Sequence, residues 1–225
     1  MREFVDIGLK PKDKTTLDSM LREVKALGYS AVGTEKTDSN LINVISRTDL
    51  YPRNQNELGK QLKKLRKRTE VIVVHCDSKS VARQAARDHR VDMIRFPVDR
   101  ETKKRLYLDR RQARMMRDTG AGFEVSIRDL LVDDRHLLAE RIVAIKKSLD
   151  IAIKHGLPVV ASSGAEDKYG LRDPHGLASL LSLLGVDYEP AMDMVSTNPM
   201  SIVSVNREKL KKSYILPGVW VIESE

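Results

Sequence analysis

The stretch PVVASSGAEDKYGLRDPHGL, residues 158–177, has the form of one β-strand feeding one α-helix. Pro158–Ala161 is an apolar run, long enough for a buried strand and too short for a helix. Ser162, Ser163 and Gly164 break it, and the chain leaves through a polar turn at Glu166–Tyr169. Asp173 and Pro174 are an N-cap and first-turn pair that starts the next helix. The loop combines small residues, open backbone N–H groups and a basic pair, Lys168 and Arg172, so it can accept phosphate. The same spacing equally suits a plain βα connection whose serines satisfy local backbone groups.

Outward from this unit the pattern repeats in both directions. Strands are expected at 4–9, 30–33, 41–46, 71–75, 92–96, 122–127 and 219–222, with a further short one at 106–108. The clearest is VIVVH at 71–75, nearly all β-branched and therefore buried on both faces. Helices are expected at 15–27, 54–68, 78–90, 109–117, 134–155, 174–184, 190–196 and 199–212. No Pro/Gly/Ser-rich linker and no internal repeat interrupts them. Alternation of this kind specifies a parallel sheet. The length, and the lack of a glycine-rich turn after the first strand, favour closure over a doubly wound sheet. The expectation is a TIM-barrel-like closed parallel sheet of eight to ten strands with surrounding helices, one domain over residues 1–225.

With 225 residues and 41% hydrophobic content, the chain can bury one sizeable core. A single cysteine, Cys76, excludes an internal disulfide framework and a multi-cysteine zinc site, and suits a reducing cytosol. Neither a secretory segment nor an 18-residue apolar run is present, so the expectation is a cytoplasmic protein with no membrane partner.

The net charge of +8 is unevenly placed: residues 53–118 hold 20 Lys and Arg against nine Asp and Glu. Lys60, Lys63, Lys64, Arg66, Lys67 and Arg68 fall on the exposed side of one helix, and Arg83, Arg87 and Arg90 outward on the next. Arg110, Arg114 and Arg117, at i, i+4 and i+7, share a face of a third. A localised excess points to a nucleic-acid backbone. The competing reading for each residue is a solvated face or an intramolecular ion pair.

In a barrel, working groups sit at the C-terminal ends of strands. Those positions carry Asp6, Glu35, His75, Cys76, Asp77, Arg95, Glu124, Ser162 and Ser163. Asp6, His75 and Glu124 could serve a metal-dependent barrel phosphoesterase. Against that, a hydrolase of the polymerase-and-histidinol-phosphatase type carries His-x-His on its first strand, where this chain has Asp6, Ile7 and Gly8. The five histidines are scattered, with no pair at ligand spacing. Ser163 lacks a G-x-S-x-G elbow and no P-loop is present. Aromatic residues are 4% of the chain and its three phenylalanines lie in strands, which disfavours a base-stacking sheet. What remains is binding without chemistry, with no catalytic residue and no metal ligand assigned.

Several segments resemble one family. SSGA (162–165), LRDP (171–174), the helix end at Leu184 and Gly185, NPMSIVSVNREKL (198–210) and LPGV (216–219) are similar to protein component 3 of archaeal ribonuclease P, relative of the thirty-kilodalton subunit of the eukaryotic enzyme. VIVVHCDSKSVARQAARDHRVDMIRFP (71–97) and GFEVSIRDLL (122–131) fit as well; the 53–69 helix fits less. The resemblance implies a TIM-like barrel within an endoribonuclease that removes the 5′ leader from precursor tRNA. It implies that the catalytic RNA does the chemistry on Mg2+ that it holds itself, so that this chain binds no cofactor. Implied partners are the ribonuclease P RNA, protein component 2 and other subunits, with precursor tRNA as the substrate of the whole particle. On that resemblance the RNA-contact candidates are Arg87, Arg90, Arg110, Arg114, Arg117, Lys168 and Arg172. Ser162, Ser163, Gly164, Asn206 and Lys209 are candidates for the partner-facing or loop surface.

Overall fold

The computed structural model describes residues 2–35, 39–98, 106–211, 213–216 and 219–220. Seven strands form one parallel sheet in simple sequence order: β1 (Val5–Asp6), β2 (Ala31–Thr34), β3 (Asn43–Leu50), β4 (Val71–His75), β5 (Met93–Arg95), β6 (Gly122–Ser126) and β7 (Val159–Ser162). The ladder runs from β1 to β7 and the two ends then meet side by side. Ser163 N–H donates to Asp6 Oδ1 (3.0 Å) and Lys10 N–H to the Ala165 carbonyl (2.8 Å). Gly8 permits this approach, because a Cβ there would lie 2.6 Å from Ser162 Cβ. The result is a nearly closed, TIM-like barrel.

The strand count departs from the expected eight to ten. Residues 106–108 are not a strand: Leu108 N–H donates to Ser148 Oγ and Lys147 Nζ sits 3.4 Å above the Tyr107 ring. Tyr214–Leu216 (β8) and Val219–Trp220 (β9) pair antiparallel in a separate hairpin, and residues 221–222 lie outside the described ones. β3 is longer than expected, continuing past Ser46 to Leu50.

Around the sheet lie α1 (Lys14–Ala26), α2 (Gln55–Leu65), α3 (Lys79–Ala86), α4 (Arg110–Thr119), α5 (Arg135–Lys154), α6 (Pro174–Leu181), α7 (Tyr188–Met194) and α8 (Thr197–Leu210). Each of α1 to α4 starts on a side-chain cap: Asp13, Asn54, Ser78 and Asp109 accept from the N3 backbone N–H. In α4 the cap is reciprocal, Gln112 returning a bond to the Asp109 N–H, and Gly120 closes the helix at φ 77°.

The core has two shells. Outside the sheet, helices α2 to α7 pack on the outward strand residues; α1 closes a smaller cluster with Leu9, Tyr29 and Val32. Inside the barrel, Val5, Ile7, Ala31, Ile45, Val71, Val73, Met93 and Val160 form an apolar plug, completed from below by Ile202 and Val203 of α8. α8 thus stoppers the N-terminal mouth. Asn198 Nδ2 donates to the Val159 carbonyl (2.7 Å), and Asn206 Nδ2 to the Glu70 carbonyl and Asp92 Oδ1 (both 2.8 Å). No helix among the described residues is long and apolar enough to cross a membrane.

Candidate nucleic-acid interface

Strand alternation decides what reaches the C-terminal mouth. Ile45 faces inward, so Arg47 and Asp49, two and four residues on, do the same. Both lie in the part of β3 beyond Ser46, where the sequence pattern predicts no strand. Arg47 is buried at the centre of the mouth and all five of its N–H donors are used. Nη1 reaches Glu124 Oε1 (2.6 Å) and the Ile7 carbonyl (3.0 Å), Nη2 reaches Glu124 Oε2 (2.9 Å) and Asp49 Oδ1 (2.8 Å), and Nε reaches Asp49 Oδ2 (2.9 Å). Ser162 Oγ donates to Glu124 Oε1 (2.7 Å) and His75 Nε2 lies 2.6 Å from Asp49 Oδ1. Tyr51 stacks over His75 with centroids 4.1 Å apart. Next to them Arg95 Nη2 donates to both carboxylate oxygens of Asp129, each at 2.7 Å.

Burial by itself opposes ionisation of Glu124 and Asp49, yet the Arg47 guanidinium outweighs it and holds both carboxyls below their usual range. The mouth is therefore an internally neutralised charge cluster. The phosphoesterase trio does not assemble there. Val5 and Ile7 face the barrel interior, so Asp6 between them faces out, where its Oδ1 accepts from the Gly8 and Ser163 N–H groups. Burial pushes the Asp6 carboxyl up. Glu124 is saturated by Arg47 and Ser162, and His75 is engaged by Asp49 through Nε2. Among the described residues no three His, Cys, Asp or Glu side chains group as metal ligands. Cys76 is buried, and burial raises its thiol.

The other concentration of charge is on the outer flank. α3 packs between α2 and α4. Val81, Ala82, Ala85 and Ala86 of α3, and Gln112, Ala113 and Met116 of α4, are buried. That turns Arg83 and the C-cap Arg87, with Arg110, Arg111, Arg114 and Arg117, into solvent. None of these six has a carboxylate at ion-pair distance among the described residues. Lys60, Lys63, Lys64, Lys67 and Arg68 extend the exposed basic surface over α2. Arg66, expected on that exposed side, instead turns in and pairs with Asp92 (2.6 Å).

The remaining candidates sort differently. Arg90 forks onto Asp88 through Nε (2.8 Å) and Nη2 (2.7 Å), so its charge is already matched. Lys168 is exposed beside Tyr169, and Arg172 Nη1 ties the carbonyls of Tyr169 (2.9 Å) and Leu171 (2.6 Å). Their loop packs by α1, away from α3 and α4. Ser162 and Ser163 are buried, each 1% exposed, and Gly164 is buried at φ 66° with no room for a Cβ against Ser126 Oγ. These three build the β7 exit from within and present no surface. Asn206 is likewise buried, under the α8 stopper, whereas Lys209 on the same helix is exposed. Sequence reasoning does not single out Arg47, Asp49 or Arg111, and it places Arg83 outward without counting it among the RNA-contact candidates; the alternation Ile45, Arg47, Asp49 and the positions of Arg83 and Arg111 on basic helices are the signals that mark them.

Comparison with known proteins agrees with this architecture. Residues 3–211 match the family model described as RNase P subunit p30. The chain is 25% identical over 225 residues to ribonuclease P protein component 3 of Methanosarcina barkeri, covering 95% of this chain and 92% of that one. In fold it is similar to a chain of the cryo-EM structure of archaeal ribonuclease P with mature tRNA, with a TM-score of 0.81 and 20% identity over 98% of this chain and 99% of that one. An amidohydrolase crystal structure shares the barrel more distantly, with a TM-score of 0.60 and 9% identity over 92% of this chain and 75% of that one. The chain belongs to the family of ribonuclease P subunit p30.

Proposed function

We propose that this chain is the protein-component-3 subunit of ribonuclease P, working in the cytoplasm within a ribonucleoprotein that removes the 5′ leader from precursor tRNA. The observation that carries the reading is the family match over residues 3–211, nearly the whole described fold. The arginine face of α3 and α4 supplies the means. Exposed guanidiniums without internal partners bind phosphate oxygens and release counterions, whatever the base sequence. The chemistry belongs to the RNA and the Mg2+ it binds. This subunit, paired with protein component 2, supports the RNA's folded shape. The saturated mouth fits that division of labour, because Arg47 fills the place where a barrel enzyme would keep open polar groups.

Reconstitution tests it. Precursor tRNA is incubated with the cognate RNA and partner proteins, with and without this chain, and with this chain alone plus magnesium, manganese or zinc. Stimulation in the mixture and no turnover by the chain alone is the expected result. Turnover by the chain alone would instead support a metal-dependent phosphoesterase.

A further inference from the structure

A pocket of about 570 Å³ opens on the mouth, bounded by the β1–α1 loop and the C-terminal ends of β2 and β3, with the internally paired Arg47 and Asp49 among its lining residues. That volume is within the range of small-molecule sites. Its lining combines three features suited to a ligand. Lys10, Lys12 and Lys14, all from the β1–α1 loop and the start of α1, are among the lining residues. Tyr51, 56% exposed, stacks one face on His75 and belongs to the rim, which leaves its other face for a planar group. Thr34, only 1% exposed, lines the pocket with its Oγ1 lacking any hydrogen-bond partner among the described residues. A buried hydroxyl without a partner is a cost that a bound polar group removes.

The acids of the lining are largely committed elsewhere. Asp49 is held by Arg47 and His75, and Asp13 caps α1 by accepting from Thr16 N–H (2.7 Å). Glu35 is exposed at the edge. Lys10 is partly buried, 3.7 Å from Asp49, and its burial makes the ammonium costly to keep charged. Lys12 has only a 3.8 Å contact with Glu166.

We propose that this pocket binds a nucleoside monophosphate, with the base on the outer face of Tyr51, the phosphate among Lys10, Lys12 and Lys14, and a polar group of the ligand on Thr34 Oγ1. An aromatic platform beside a cationic wall is the pairing that single nucleotides require. The nucleotide comes either free or as an unpaired residue of an RNA strand; both present the same chemistry. The site lies across the barrel from the arginine face and does not depend on it.

The test titrates the full chain with AMP, adenosine, inorganic phosphate and a short single-stranded oligoribonucleotide, followed by calorimetry and by NMR. AMP is expected to bind more tightly than adenosine or phosphate alone. Tyr51→Ala and Lys10→Met are each expected to weaken AMP roughly tenfold, a size typical of one lost stack or one phosphate contact. Thr34→Val, which removes the unpartnered hydroxyl without changing shape, is expected to weaken AMP while raising the melting temperature. Circular dichroism confirms the fold of each variant. Binding of the oligonucleotide but not of AMP, lost in Tyr51→Ala, keeps the pocket and assigns its nucleotide to an RNA strand. Binding unchanged in folded Tyr51→Ala and Lys10→Met variants overturns the proposal, as does the absence of saturable binding by AMP and oligonucleotide alike.

Discussion

Arg47 and Glu124, 77 residues apart, meet inside the barrel through two parallel contacts, Nη1 to Oε1 at 2.6 Å and Nη2 to Oε2 at 2.9 Å, with both side chains buried. A buried pair is poor evidence of net stability, since desolvation offsets much of the attraction. Breaking it is another matter. Arg47→Met leaves Glu124 without a cation and deprives Asp49 of its fork, so a loss of about 3–5 kcal/mol in urea unfolding is expected. Arg47→Met with Glu124→Leu removes the stranded charge and should recover a measurable part of that loss. A single variant as stable as the parent would mean that the network is not holding the mouth.

The same network sets an acid dependence. Glu124 and Asp49 are depressed in the folded chain, so their contribution is complete above their ordinary range near pH 4 and is lost as pH falls below it. Asp6 has the opposite sign. Its carboxyl is raised by burial, so it favours folding below that range and loses the contribution as pH rises. Asp6→Asn should therefore steepen the fall in stability between pH 7 and pH 3, measured by urea midpoints. A shallower fall would contradict the assignment.

Reversing Arg110, Arg114 and Arg117 to Glu should weaken RNA binding while leaving the circular dichroism spectrum unchanged, because all three are exposed. If each neutralises one duplex phosphate, the slope of log affinity against log salt should become shallower by about 2.7. Arg90→Ala is the contrast. Its fork onto Asp88 already matches its charge, so the expected change in RNA affinity is slight. Equal losses in the two variants would show that the ion-pair map does not predict the contact face.

Asn206 is expected to matter for folding. Asn206→Ala removes one of the two donors to the Glu70 carbonyl, Arg66 Nη2 remaining, and one hydrogen bond from Asp92. A loss of about 1–3 kcal/mol in denaturant unfolding follows. Lys209→Ala, exposed three residues along, should leave stability nearly unchanged.

The barrel was legible where local signals agreed: the β-branched run of β4, the Asp109 cap of α4, and the Asp173–Pro174 start of α6 all stand as read. The mouth was not. The apolar pattern LINVIS stops at Ser46, whereas β3 continues to Leu50 because Arg47 finds Glu124 on β6 and Asp49 finds Arg47 and His75, partners that no local signal shows. The α8 stopper was visible as a helix. Its role was hidden because its partners, Glu70 and Asp92, lie 136 and 114 residues earlier. The small-residue exit of β7 suggests a surface loop, whereas Ser162 is consumed by Glu124 and Ser163 by the junction with β1. The arginine stripe on α4 was readable from spacing alone. The pairing of Arg90 and the inward turn of Arg66 depended on tertiary contacts.

The proposed role has this chain acting through its outer arginine face, with the chemistry left to the RNA. The most direct measurement is the precursor tRNA cleavage rate of the reconstituted particle, at limiting subunit, with two variants side by side. Arg110, Arg114 and Arg117 reversed to Glu should lower the rate roughly tenfold or more, the size expected for several lost phosphate contacts. Asp6→Asn should retain the parent rate. Full activity in the arginine variant together with loss of activity in Asp6→Asn would contradict the account and return the chemistry to the barrel.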